Sequence, residues 1–145
     1  MKIMAVDFGD ARTGLAVCDR TEFLASPIGT IQERDFNMAV CKTAVAAKEY
    51  DVKMVVVGYP KNMDGSCGER AKKCEEFAKR LGEMIPLPIK LWDERQTTVS
   101  AHQFLNEVNV RGQKRKEVVD EVAATIILES YLEYRKNHPD ETESN

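Results

Sequence analysis

Asp7, Glu94 and Asp120 are acids placed where apolar segments end or turn a face inward, and together they would suit a divalent cation. Asp7 closes the apolar run Ile3 to Val6 just before a turn containing Gly9. Glu94 ends IKLWDE (89 to 94), a second run that finishes in charge. Side chains alternate along a strand, so Asp93 and Glu94 take opposite faces and only one can reach a shared site. Alternation alone does not choose between them. Asp120 lies in KEVVDEVAATIILESYLEYRK (116 to 136), in line with Ala123, Ala124, Ile127 and Tyr131 at spacings of three, four, seven and eleven. That is the apolar stripe of a helix, and a charge there needs a partner, since burying it alone is costly. Glu121, Thr125, Glu129 and Lys136 mark the polar stripe.

An oxygen-rich set of this kind fits Mg²⁺ or Mn²⁺ rather than zinc, and two such ions can bind the attacking water and the leaving oxygen of an in-line phosphoryl displacement. Each acid also has an ordinary structural reading. Asp7 can serve a hairpin turn, while Asp93 or Glu94 can favour a helix start capped by Thr97 or Thr98. Asp120 can sit in the first turn of its helix, favoured by the dipole.

Cationic and loop residues surround these acids. Arg111, Lys114, Arg115 and Lys116 crowd the segment read as a loop before the Asp120 helix, a local patch that the net charge of −3 makes necessary for any nucleic-acid contact. The loop GYPKNMDGSCGER (58 to 70) leads from a strand into a helix, with Ser66 as a candidate cap and exposed N–H groups suited to a phosphate. No Gly-Lys-Ser/Thr follows at the spacing of a P-loop. Arg12, Asn62, Ser66, Arg95, Thr97 and Thr98 join the basic segment as candidate nucleic-acid contacts.

The elements that must position these residues can be read in order. KIMAVDF (2 to 8) and TGLAVC (13 to 18) are apolar runs joined by Gly9-Asp10-Ala11-Arg12, a hairpin pattern. Phe23 to Ile31 reads as a third strand, with Ser26-Pro27 favouring an edge or a bulge. A helix follows from Phe36 to Tyr50, then the strand MVVVGYP (54 to 60), whose four apolar residues in succession suggest cover on both faces. A charged helix through Ala71, Phe77, Ala78 and Leu81 ends at Ile85-Pro86-Leu87-Pro88. After the strand 89 to 94 come helices around Thr98 to Val108 and from Lys116 to Lys136. The expected fold is α/β: a mixed five-stranded sheet, three antiparallel strands first and two parallel strands after, flanked by helices.

The chain has 145 residues, 43% hydrophobic and 31% charged, which suits one core, expected over 1–136 with a polar tail at 137–145. No stretch approaches the roughly 20 apolar residues of a membrane span, so a cytoplasmic protein without membrane partners is expected. Cysteines at 18, 41, 67 and 74 form no CxxC pair, and with two histidines they suggest reduced thiols rather than zinc or disulfides.

Four segments in order, VDFGDARTGLAV (6 to 17), VVGYPKNMDGSCGERAKKCEEFAKRL (56 to 81), DERQTT (93 to 98) and VVDEVAATIIL (118 to 128), resemble the YqgF/RuvX family over Lys2 to about Tyr134. The resemblance implies a ribonuclease H-like fold with Asp7, Glu94 and Asp120 as metal-binding catalytic acids, which also selects Glu94 over Asp93. It implies a nuclease using two Mg²⁺ or Mn²⁺ ions on structured RNA, chiefly the 5′ side of precursor 16S ribosomal RNA. Branched DNA, as in Holliday junction resolvases, is the alternative substrate. Where the more distant RuvC-type resolvases carry an acid, this chain has Tyr59-Pro60, so Glu94 would have to substitute. Two readings of other classes stand beside it. One is a non-catalytic binding module. The other is an actin-like ATPase relative, suggested by DFGDARTG but lacking the second phosphate loop such proteins need.

Overall fold

The computed structural model describes residues 1–59, 68–93 and 112–137, the side chains of 112–121 excepted. Strands β1 (Ile3–Asp7), β2 (Arg12–Cys18) and β3 (Ala25–Gln32) precede helix α1 (Phe36–Glu49). Then come β4 (Met54–Tyr59), α2 (Glu69–Met84), β5 (Ile89–Asp93) and the 26-residue α3 (Gly112–Asn137). The sheet order is β3-β2-β1-β4-β5. Strand β1 pairs antiparallel with β2 and parallel with β4; β2 pairs antiparallel with β3, and β4 parallel with β5. This is the mixed sheet expected from the order of apolar runs. Strand β3 lies at an edge, and its register slips opposite Leu15 and Ala16, where Pro27 cannot donate and Gly29 takes φ 140°.

Period-2 alternation divides the core between two faces. Met4, Val6, Leu15, Val55 and Val57 pack against Ala44 and Ala47 of α1 and Phe77 and Leu81 of α2. Ile3, Ala5, Ala16, Cys18, Met54, Val56 and Trp92 pack against Ala124, Ile127, Leu128, Tyr131 and Leu132 of α3. The sheet is thus sandwiched, and β4, buried at all six positions, is the strand covered on both faces.

Three expectations change. Helix α2 begins at Glu69 with Gly68, in extended backbone, as its N-cap, so the cap expected at Ser66 falls two residues too early. Helix α3 begins at Gly112, so Lys114, Arg115 and Lys116 belong to its opening turns and not to a loop before it. Gln, Lys and Arg are all good helix formers, and nothing in that stretch caps or breaks a helix nearer Asp120. For the same reason Asp120 stands more than two turns inside the helix, which removes the reading of it as a first-turn acid held by the dipole. The segments at 60–67, 94–111 and 138–145, with the helix expected around Thr98 to Val108 and the polar tail, lie outside the described residues.

The far end of α3 is anchored. Arg135 Nε donates to Glu22 Oε1 at 2.6 Å, and the amino group of Met1 lies 3.0 Å from Glu22 Oε2. Burial pushes the Glu22 carboxyl up, but the hydrogen bonds from Arg135 and the amino group outweigh it and hold the group below its ordinary value. A carboxyl depressed on folding stabilises above its unfolded-state pKa, and the effect fades as pH falls through the folded value. Glu22→Gln is therefore expected to cost about 1.5 kcal/mol at neutral pH. Denaturant midpoints of the two proteins should converge on acidification below the ordinary glutamate range. An equal gap at pH 3 and pH 7 would contradict this role for the pair.

Candidate active site at the carboxyl end of β1

Asp7 is the last residue of β1 and half buried. It shares parity with Ile3 and Ala5, and so belongs to the sheet face covered by α3. Across the antiparallel pair its partner is Gly14, which in turn pairs with Thr30 on β3. On the other side the parallel register runs from Val6 and Val57 to Gly58, and Gly58 pairs with Trp92 of β5. The row through the acid is therefore Thr30, Gly14, Asp7, Gly58, Trp92. A glycine stands on each side of the carboxylate, so neither neighbouring strand adds a side chain there. Arg12 has the parity of Gly14 and Ala16 and joins Asp7 on this face, one strand over.

The hairpin turn that follows Asp7 is fixed by sequence and by α2. A Cβ on Gly9 would come within 2.2 Å of the Arg12 carbonyl oxygen, so the turn closes only on glycine. Arg70 donates to the Phe8 carbonyl. Its Nη1 also lies 3.2 Å from Asp10 Oδ1, and Lys73 Nζ lies 3.3 Å from the same oxygen. Phe8 itself stacks on Phe77 at 4.5 Å between centroids, on the face away from Asp7. The start of α2 thus holds the turn while the pleat presents Asp7 to the other side.

Trp92 packs on the α3 face, donating from its indole nitrogen to Ser130 Oγ at 3.3 Å. Asp93 has the opposite parity and pairs in register with Tyr59. Tyr59 belongs to the α1 and α2 face, and its hydroxyl donates to Glu75. The strand position that is in line with Asp7 is Gly58, not Tyr59.

On α3, Ala124, Ile127, Leu128 and Tyr131 form the buried stripe, with Tyr131 Oη 3.5 Å from Met54 Sδ. Asp120 lies four residues before Ala124 in the same helix. Glu94, Asn62, Ser66, Arg95, Thr97, Thr98 and Arg111 lie outside the described residues, as do the side chains of Lys114, Arg115, Lys116 and Asp120. Among the described residues no three His, Cys, Asp or Glu side chains gather as a metal site. None of the described helices is long and apolar enough to cross a membrane. Among the described residues no disulfide links Cys18, Cys41 and Cys74. Gly14, Gly58 and Arg70, which shape this site, carry no sign of that role in the sequence taken alone. Gly9, inside DFGDARTG, is the visible signal that backbone crowds the turn after this acid.

The family model for "RuvX: Holliday junction resolvase" matches residues 1–134. The chain belongs to the RuvX family. A relative from Lachnospira eligens named "Putative pre-16S rRNA nuclease" is 43% identical over 139 residues, covering 94% of this chain and 99% of its own. One of the same name from Clostridium novyi is 41% identical over 133 residues, 92% of this chain and 98% of its own. The fold of this RuvX chain is similar to that of Thermus thermophilus RuvC bound to a Holliday junction substrate. The TM-score is 0.64 at 10% identity, covering 94% of this chain and 96% of that one. It is also similar to the fowlpox virus resolvase in complex with junction DNA, with a TM-score of 0.55 at 16% identity over 92% and 98% of the two chains. The ribonuclease H-like sheet of the resolvases is thus shared by the RuvX chain.

Proposed function

We propose that this protein is a cytoplasmic metal-dependent endonuclease that hydrolyses phosphodiesters in structured RNA, processing the 5′ side of precursor 16S ribosomal RNA. The observation that carries the chemistry is the half-buried Asp7 at the end of the central strand, flanked in its row by Gly14 and Gly58. An acid with empty strand positions on both sides leaves room for a cation and a phosphate to reach the sheet.

Geometry supports Glu94 and Asp120 as its companions. A residue that continued the β5 alternation past Asp93 would share the parity of Trp92, whose face is also that of Asp7. That favours Glu94 over Asp93. Helix α3 runs against β1, since Arg135 near its end meets Glu22, which also holds the amino group at Met1 just before β1. Tyr131 meets Met54, which pairs with Ile3. From there to Asp120 the helix climbs eleven residues, roughly 16 Å. From Ile3 to Asp7 the strand climbs four, roughly 13 Å. These rises would bring positions 7 and 120 to nearly the same level along the sheet, which supports the pairing of the two acids. Three carboxylates so arranged would hold two Mg²⁺ or Mn²⁺ ions, which supply charge neutralisation at the phosphate and an activated water. Arg12 and the cations of α3's first turns, Lys114, Arg115 and Lys116, would contact the substrate's phosphates.

RNA is favoured over DNA by the names of the relatives at about 40% identity; the family description and the fold neighbours keep a junction resolvase as the second reading. The test offers 5′-extended 16S precursor RNA and four-way DNA junctions side by side, with Mg²⁺, Mn²⁺ or chelator. Metal-dependent cleavage of the RNA is expected. Cleavage of the junction alone would move the protein to the resolvases, and binding without cleavage of either would leave a binding module.

A further inference from the structure

On the face of the sheet away from Asp7, beside the same hairpin turn, lies a cavity of about 300 Å³. That is at the small end of ligand pockets, roughly 300 to 1,000 Å³, with room for one base and its sugar. Phe8 and Phe36 lie in its floor with rings edge to face at 5.8 Å; Phe8 is buried against Phe77 with Arg70 over its ring, so the half-buried Phe36 is the ring a base can reach. The rim carries Arg34, Lys73, Asp10 and Glu76. A second depression, of about 380 Å³, shares Arg34 and reaches Arg12, so the two form one path around the end of the sheet from the Asp7 face to the aromatic floor.

The charges select what would enter. Carboxylates dominate the lining and repel a phosphate, whereas a base offers N–H donors and a flat face to stack. Asp10 is engaged by Arg70 and Lys73, Glu33 by Lys42, and Asp35 by the Met38 amide it caps. Among the described residues, Glu76 is the lining carboxylate without such a partner. It lies three residues after Lys73 on the exposed side of α2, so the cavity wall offers a two-oxygen acceptor and an ammonium donor, the latter 3.3 Å from Asp10 Oδ1. Guanine matches that pair. Its O6 accepts from the lysine, and its N1–H and N2–H lie side by side for both carboxylate oxygens. Adenine, cytosine and uracil each lack the double donor.

Building on the nucleic-acid reading above, we propose that this cavity is a guanine subsite, receiving an unpaired base of the substrate strand that passes over the hairpin turn. A site built around paired donors discriminates strongly against ligands that lack one. The phosphate of that nucleotide would lie toward Arg34, on the path to Arg12.

The test is a ¹H–¹⁵N NMR titration of the full chain with the 5′-monophosphates of guanosine, adenosine, cytidine and uridine, and with arginine amide. Guanosine monophosphate should shift the amides of Phe36, Ala39 and Lys73 at about tenfold lower concentration than uridine monophosphate. Glu76→Gln should erase that preference, and Glu83→Gln, farther along the exposed side of the same helix, should keep it. Equal shifts by all four nucleotides would mean phosphate binding at Arg34 and Lys73 and would overturn the subsite. Shifts by arginine amide alone would reassign the cavity to a cationic protein side chain, and no shift at millimolar ligand would also overturn it. A protein that cuts RNA but ignores guanosine monophosphate fails only here. One that binds it but cuts no nucleic acid removes the nuclease reading and leaves the pocket.

Discussion

Asp7→Asn is expected to lower single-turnover cleavage of precursor RNA by about 10³-fold or more while the fold and RNA binding persist. The amide keeps the size of the carboxylate and most of its hydrogen bonding but loses the charge that would hold a cation. Removing that charge also takes a repulsive group away from the phosphate backbone, so RNA affinity should hold or rise. The side chain is half buried at the end of β1, and the glycines beside it carry no side chain that could take its place. Cleavage at the wild-type rate by Asp7→Asn would remove the proposed mechanism, and joint loss of binding and melting temperature would mean the acid serves the fold.

Gly9→Ala should damage the same site without touching an acid. The new methyl would meet the Arg12 carbonyl oxygen at 2.2 Å, and that oxygen belongs to backbone that opens β2 and cannot swing aside. The turn would have to open, against the grip of Arg70 on the Phe8 carbonyl and of Arg70 and Lys73 on Asp10. Overpacking of this kind costs about 1 to 3 kcal/mol, read from denaturant unfolding. Because Asp7 lies two residues away, a shift of about 1 Å there should cost a further 10²-fold in cleavage measured on the folded fraction. Wild-type stability and rate in this variant would show that the turn is not what positions the acid.

Much of this was legible in the chain because the relevant forces are local. Alternation in IMAVD and TGLAVC and the short turn between them dictate the opening hairpin, and the unbroken apolar run of β4 dictates a strand covered on both faces. The apolar stripe of Ala124, Ile127 and Tyr131 was likewise legible from helical spacing, and these residues pack on the sheet as expected. Tertiary register was not legible. Nothing in the sequence says that Gly14 and Gly58 fall on either side of Asp7, because that depends on how β2 and β4 align with β1. Nor could the choice between Asp93 and Glu94 be made from alternation, since the face of β5 is fixed only when Trp92 packs on α3. The start of α3 was misplaced because basic residues read as a surface loop, although Gln, Lys and Arg are equally at home in a helix.

The central claim is that Asp7, Glu94 and Asp120 form one metal site and that Asp93 stands outside it. Mn²⁺ binding followed by electron paramagnetic resonance on the wild type and on Asp7→Asn, Glu94→Gln, Asp120→Asn and Asp93→Asn tests this directly. The wild type should bind two ions, each of the three site variants should weaken binding at least about tenfold, and Asp93→Asn should match the wild type. Loss of Mn²⁺ in Asp93→Asn with retention in Glu94→Gln, or unchanged binding in all four variants, would contradict it.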